Sequence, residues 1–170
     1  MVLSASKFIH HVRGTYDSQQ QHGQSMNDIN GSGDATTIAI IGAGLSGTLV
    51  AANLLRLATG PLRIVLIDRR AQVGQGVAYS TLCPDHVLNV PVERMGAWAD
   101  APDHFLRWLR EHRSEPGIPA HVEPGDFLPR AVYGLYVGRV LAAARAQAVA
   151  GVALEGIEGE VVDLEERPAG

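Results

Sequence analysis

Six consecutive residues, Gly42-Ala43-Gly44-Leu45-Ser46-Gly47, have the spacing Gly-x-Gly-x-x-Gly. Glycine in the first position permits a tight turn, in the second it lets a phosphate approach the backbone, and in the third it lets a helix lie close on a strand. The helix that follows such a loop offers unbonded N–H groups and about half a positive charge to an anion. Asp68 lies about 20 positions further on, where a carboxylate can accept hydrogen bonds from the ribose hydroxyls of an adenosine. Its charge disfavours a ribose 2′-phosphate, whereas the neighbouring Arg69 and Arg70 would pair with one. The candidate cofactor residues are therefore Gly42, Ala43, Gly44, Leu45, Ser46, Gly47, Asp68 and Arg69. The chemistry they point to is the binding of a dinucleotide, with FAD or NAD favoured over NADP.

A glycine string of this kind arises by chance, so the flanking elements decide its meaning. Residues 37–41 are β-branched and apolar and predict a buried strand. Residues 45–58 predict a helix that is apolar around most of its axis, stopped by Gly60 and Pro61. Residues 63–67 predict a second buried strand that ends at Asp68. Two continuous apolar strands joined by a helix imply a parallel pair, because parallel sheets are covered on both faces. Beyond them residues 71–98 read as loop, 102–112 as a short helix with Phe105, Leu106 and Leu109 inward, and 130–150 as a long helix stopped by Gly151. Residues 152–154 and 160–164 read as short strands in an acidic surface stretch. The stretch 35–55 has no charge, but three glycines and Asn53 interrupt it, so a strand running into a helix fits better than a membrane span. Residues 1–36 are polar and rich in Gln, Ser, Gly and Asn, and are expected to form a disordered tail before a domain at 37–170.

Composition narrows the classes. The chain has 170 residues, 46% of them hydrophobic, enough for one domain with a real core. Fourteen Lys and Arg against 18 Asp and Glu give a formal charge of −4, which argues against a dedicated nucleic-acid binder. The single cysteine, Cys83, excludes an intramolecular disulfide framework and a cysteine-rich zinc site. No metal ligand set is expected, and the catalytic residues stay unassigned. His86 reads as a hydrogen-bonded structural histidine, with a proton donor as the less favoured alternative. His104 and His112 are expected to be solvated, and Trp98 and Trp108 to pack in the core. Asn89 and Pro91 fit either a flavin-facing loop or a plain turn, and Arg130 either a phosphate contact or a cap.

Further motifs accompany the glycine loop in a fixed order. They are Gly74-Gln75-Gly76-Val77-Ala78-Tyr79-Ser80, then His86-Val87-Leu88-Asn89-Val90-Pro91 with Met95, then Phe105-Leu106-Arg107-Trp108-Leu109. Phe127-Leu128-Pro129-Arg130 with Tyr133-Gly134-Leu135-Tyr136 completes the series. In these segments the chain resembles the FAD/NAD(P)-binding family whose best-described members are flavin-dependent urate hydroxylases of bacteria. The resemblance implies an α/β, Rossmann-like parallel sheet with flanking helices, FAD as the bound dinucleotide, and NAD(P)H as reductant of an oxidoreductase, in some members a monooxygenase. Relatives of this kind continue further, so the sheet is expected to be incomplete or truncated, and the chain to be a truncated reading frame, a fragment, or one part of a split enzyme whose missing half a separate chain supplies. A small-molecule substrate, no membrane and a cytoplasmic location complete the expectation. The alternative is a non-catalytic dinucleotide-binding module.

Overall fold

The computed structural model describes residues 2–4, 11–13, 36–70 and 73–163. The chain enters through two three-residue strands, β1 (Val2–Ser4) and β2 (His11–Arg13). It continues with β3 (Thr36–Ile41), α1 (Leu45–Leu57) and β4 (Leu62–Asp68). A short helix α2 (Gly76–Tyr79), a 3-10 turn (Val92–Arg94) and α3 (His104–Glu111) punctuate the stretch that leads to α4 (Arg130–Gln147). Strands β5 (Val152–Glu158) and β6 (Glu160–Asp163) follow.

The main sheet has the order β1-β3-β4-β5. Strands β3, β4 and β5 are parallel, in the register Thr36↔Leu62↔Val152 through Ile40↔Leu66↔Gly156. Strand β1 is antiparallel to β3, with Leu3 opposite Ala39. The predicted parallel pair is present, and it has a third member that the sequence reading placed among short surface strands. Glu155 and Gly156 interrupt the apolar run of β5, which hides a parallel strand from any test by hydrophobicity. The interruption is accommodated in the sheet, where Arg63 on β4 meets Glu155 on β5 at 2.6 Å.

Period-two alternation sorts the strand residues between two faces. Ile40, Ile64 and Leu66 face the helices and join one core with Ala51, Ala52 and Leu55 of α1, Phe105 and Leu109 of α3, and Tyr136 and Val137 of α4. Val65, Ile67 and Ile157 are buried on the opposite face, where Val161 of β6 packs on them. This is a three-strand parallel sheet with flanking helices, the Rossmann-like α/β class.

Several boundaries differ from the sequence reading. Helix α4 ends at Gln147, with Ala148 in extended geometry as its cap. The stretch expected to be plain loop contains α2 and the 3-10 turn. Of the tail expected to be disordered, Val2–Ser4 and His11–Arg13 are strands and Thr36 opens β3, while the remaining residues up to Ala35 lie outside the described ones. Edge pairing draws on backbone donors and acceptors, so a polar segment can supply it. The uncharged stretch divides at the glycine loop into β3 and α1, and among the described residues no helix is long and apolar enough to cross a membrane.

Candidate functional site

The glycine loop joins the end of β3 to the start of α1. Gly42 takes φ +100°, a left-handed conformation that favours glycine. Its N–H donates to the Ile67 carbonyl at 2.7 Å, which ties the turn to the end of β4. A Cβ on Gly47 would fall on the Gly42 carbonyl oxygen and crowd the Ile40 side chain, so this glycine sets the close seat of α1 on β3. Gly44 caps α1 at φ −68°, which any residue can adopt, and its missing Cβ would sit 3.6 Å from the Gly76 Cα. The second glycine therefore faces another loop of the protein as well as any ligand.

The first helical bond of α1 runs from the Thr48 N–H to the Gly44 carbonyl at 3.0 Å. The amides of Leu45, Ser46 and Gly47 thus stand outside the helical ladder. The first turn carries no acidic residue that would neutralise this end, and Ser46 is exposed there. The arrangement suits a phosphate or pyrophosphate.

Asp68 ends β4 beside the loop. Its Oδ2 accepts the Ala43 N–H at 2.7 Å and its Oδ1 accepts the Arg70 N–H at 3.0 Å. The sequence reading aimed this carboxylate at a ribose, whereas the structure turns it first onto the backbone. Two carboxylate oxygens offer about four acceptor sites, so capacity for a ribose hydroxyl remains. Asp68 lines a small cleft with Arg70, Gln75, Gly76 and Ser80. Arg69, the candidate cation, instead pairs across the surface with Glu160 at 3.5 Å. The cation of the cleft is Arg70.

The segment Gly74-Gln75-Gly76 closes one side of the loop, a role that spacing alone did not reveal. Gly74, at φ +85°, donates its N–H to the Ala43 carbonyl at 2.9 Å. A Cβ there would meet the Gly138 nitrogen of α4 at 2.9 Å, and one on Gly134 would meet the Tyr79 carbonyl at 3.0 Å. Gly134 of α4 thus admits the segment that braces the glycine loop, and the Gly138 backbone leaves no room for a side chain on Gly74. The visible signal was the pair Gly74 and Gly76 soon after Asp68.

Other candidate residues have structural partners. Tyr136 is fully buried; its hydroxyl accepts the Ala97 N–H at 2.8 Å and bonds His104 Nδ1 at 2.6 Å. Burial pushes the His104 pKa below its ordinary value, helped by the charge of Arg107, and pushes the Tyr136 hydroxyl upward. His112 Nδ1 bonds the Trp108 carbonyl at 2.8 Å. These two histidines are therefore engaged, against the expectation that they are merely solvated. Trp108 is in the core, while Trp98 is half-buried under the Arg56 guanidinium, 4.8 Å from its ring centre. His86 bonds Thr81, and Arg130 donates through Nε to the Val87 carbonyl at 2.9 Å. Asn89 and Cys83 are exposed. Among the described residues no group of three or more His, Cys, Asp or Glu is placed to hold a metal. A groove of about 400 Å³ on the outer side of α1 is apolar, lined by Leu49, Leu54, Leu57 and Leu62. Its one polar side chain, Asn53, donates to the Leu49 carbonyl at 2.8 Å, and no charged side chain lines it.

A parallel sheet, a glycine loop at its first strand–helix junction and an acid at the end of the next strand define a dinucleotide-binding domain. Residues 39–170 match the FAD-NAD(P)-binding family, and the chain belongs to that family. No curated protein matches the chain.

Proposed function

We propose that the chain is the FAD-binding part of a flavoprotein oxidoreductase. The observation that carries this reading is the unladdered start of α1, free of acidic residues and placed beside Asp68. The residues present fit the ADP half of the cofactor. The amides of Leu45, Ser46 and Gly47 hold the pyrophosphate, and Asp68 takes the adenosine ribose with the acceptor sites that Ala43 and Arg70 leave. Its carboxylate disfavours a 2′-phosphate, which supports FAD over NADP here, and Arg70 in the same cleft softens that preference. When bound, the flavin supplies the electron-transfer chemistry, and the protein supplies binding and orientation.

The ordered motifs from Gly74 to Tyr136 support the finer likeness to flavin-dependent urate hydroxylases. On that likeness NAD(P)H is the reductant and a small molecule is the substrate.

The test is reconstitution of the purified chain with FAD, followed by gel filtration and an absorption spectrum. A protein peak that absorbs near roughly 450 nm is expected, because the cofactor itself carries the chromophore. Loss of all flavin from the folded protein overturns the reading. Flavin that stays bound but is not reduced by NADH or NADPH supports the non-catalytic module.

A further inference from the structure

Both backbone polar groups of one residue, Ala43, are held, with three bonds between them. Its N–H donates to Asp68 Oδ2 at 2.7 Å. Its carbonyl accepts the Gly74 N–H at 2.9 Å and the Thr48 hydroxyl at 2.9 Å. Thr48 is fully buried in the first turn of α1. A buried polar group needs a partner, so a hydroxyl here requires a reason that a valine of the same shape would not. Satisfying the Ala43 carbonyl is not sufficient reason, because the Gly74 amide already does so. What the hydroxyl adds is a second bond on that carbonyl, which restrains the tilt of the peptide. The next amides along the chain are those left for the anion.

We infer that Thr48 is a positioning residue of the glycine loop. With Gly74 it fixes the Ala43–Gly44 peptide, while Asp68 holds the preceding one, and together they set the direction of the amides that open α1. The inference rests on the nucleotide reading for its ligand, but the clamp itself is a property of the protein alone. Asp68 then acts on a nucleotide partly through the loop as well as through a ribose.

The experiment compares the full chain with Thr48→Val and Thr48→Ser, using amide hydrogen exchange over residues 42–47 without ligand and FAD titration well below the melting temperature. Thr48→Val keeps the shape and leaves the Ala43 carbonyl one partner, so the fold is retained. Its loop amides are expected to exchange roughly two- to tenfold faster, and FAD to bind roughly two- to tenfold more weakly, the span of one net hydrogen bond. Thr48→Ser is expected to restore both. Unchanged exchange in Thr48→Val overturns the inference, as does unchanged FAD affinity alongside a lowered melting temperature, or failure of the serine to rescue. If the wild-type chain binds no FAD, the functional reading falls and the exchange result decides the clamp. If the valine variant does not fold, Thr48→Ala against Thr48→Ser makes the same comparison.

Discussion

Asp68 bonds two backbone amides while standing where a ribose would lie, so its removal has two consequences. Asp68→Ala frees the Ala43 N–H and deletes the ribose acceptor. Charge-assisted hydrogen bonds contribute about 1.5–3 kcal/mol each, so FAD affinity is expected to fall by roughly one to two decades at about 1.4 kcal/mol per decade. NADP should lose less, because the lost carboxylate no longer opposes a 2′-phosphate and Arg70 remains. Calorimetric titration of both proteins with FAD, NAD and NADP checks this; an unchanged FAD affinity would place the nucleotide elsewhere. The glycines of the motif separate in the same manner. Gly47→Ala drives a Cβ into the Gly42 carbonyl and should lower stability by about 1–3 kcal/mol, the usual range for overpacking. Gly44→Ala meets only the Gly76 Cα, at ordinary contact distance and with φ −68°, and should melt within a few degrees of wild type. Denaturant unfolding of the two variants reads the contrast, and equal losses would contradict the close seat of α1 on β3.

At the scale of elements, the joint between α3, α4 and the loop before α3 depends on a neutral histidine. With the Ala97 N–H already on the Tyr136 hydroxyl oxygen, the hydroxyl proton is best placed on His104 Nδ1, which must then carry none. Burial is the main cost of protonating His104, and the Arg107 charge adds to it while Glu111 and Asp103 oppose it. Its pKa is lower folded than unfolded, so the unfolded chain binds the proton first as pH falls. The contribution is complete above the unfolded value of about 6.5 and declines as pH drops from there toward the lower folded value. The melting temperature is therefore expected to fall between pH 7 and pH 5, and to fall less in His104→Asn, which keeps an acceptor but cannot titrate. Parallel melting curves in the two proteins would remove His104 from the account. Elements also mark how far the sequence reaches. Strand β3, helix α1 and strand β4 were legible because apolar runs, helical spacing and the Gly60-Pro61 stop agree on one answer. Strand β5 was legible only as a short strand at 152–154; its full length and its place in the parallel sheet were not, because pairing with a distant partner leaves no local trace and Glu155 breaks the apolar pattern. Thr48 was not legible as part of the site either, since nothing in a helical threonine shows that it reaches back to the loop before its own helix.

For the whole molecule, the three parallel strands and the helices on one face form a frame that the glycine loop completes at one end. That frame makes ligand binding and stability one equilibrium, since an unfolded chain has no Gly42–Gly47 turn, no Asp68 beside it and no α1 to present its amides. A ligand that binds only the folded state raises stability by about 2.7 kcal/mol at 100 times its dissociation constant. In a domain of this size each kcal/mol raises the melting temperature by about 2–4 °C. Saturating FAD is therefore expected to raise it by roughly 5–10 °C. NAD, which shares the ADP half but lacks the flavin, should raise it less at equal concentration, if the flavin half also touches the protein. Equal shifts would confine recognition to the glycine loop and the Asp68 cleft, with the surface from Val77 to Phe127 taking no part. Differential scanning fluorimetry across a series of FAD, NAD and ADP concentrations distinguishes the two. A melting temperature that ignores all three ligands would leave the frame intact and remove the nucleotide from it.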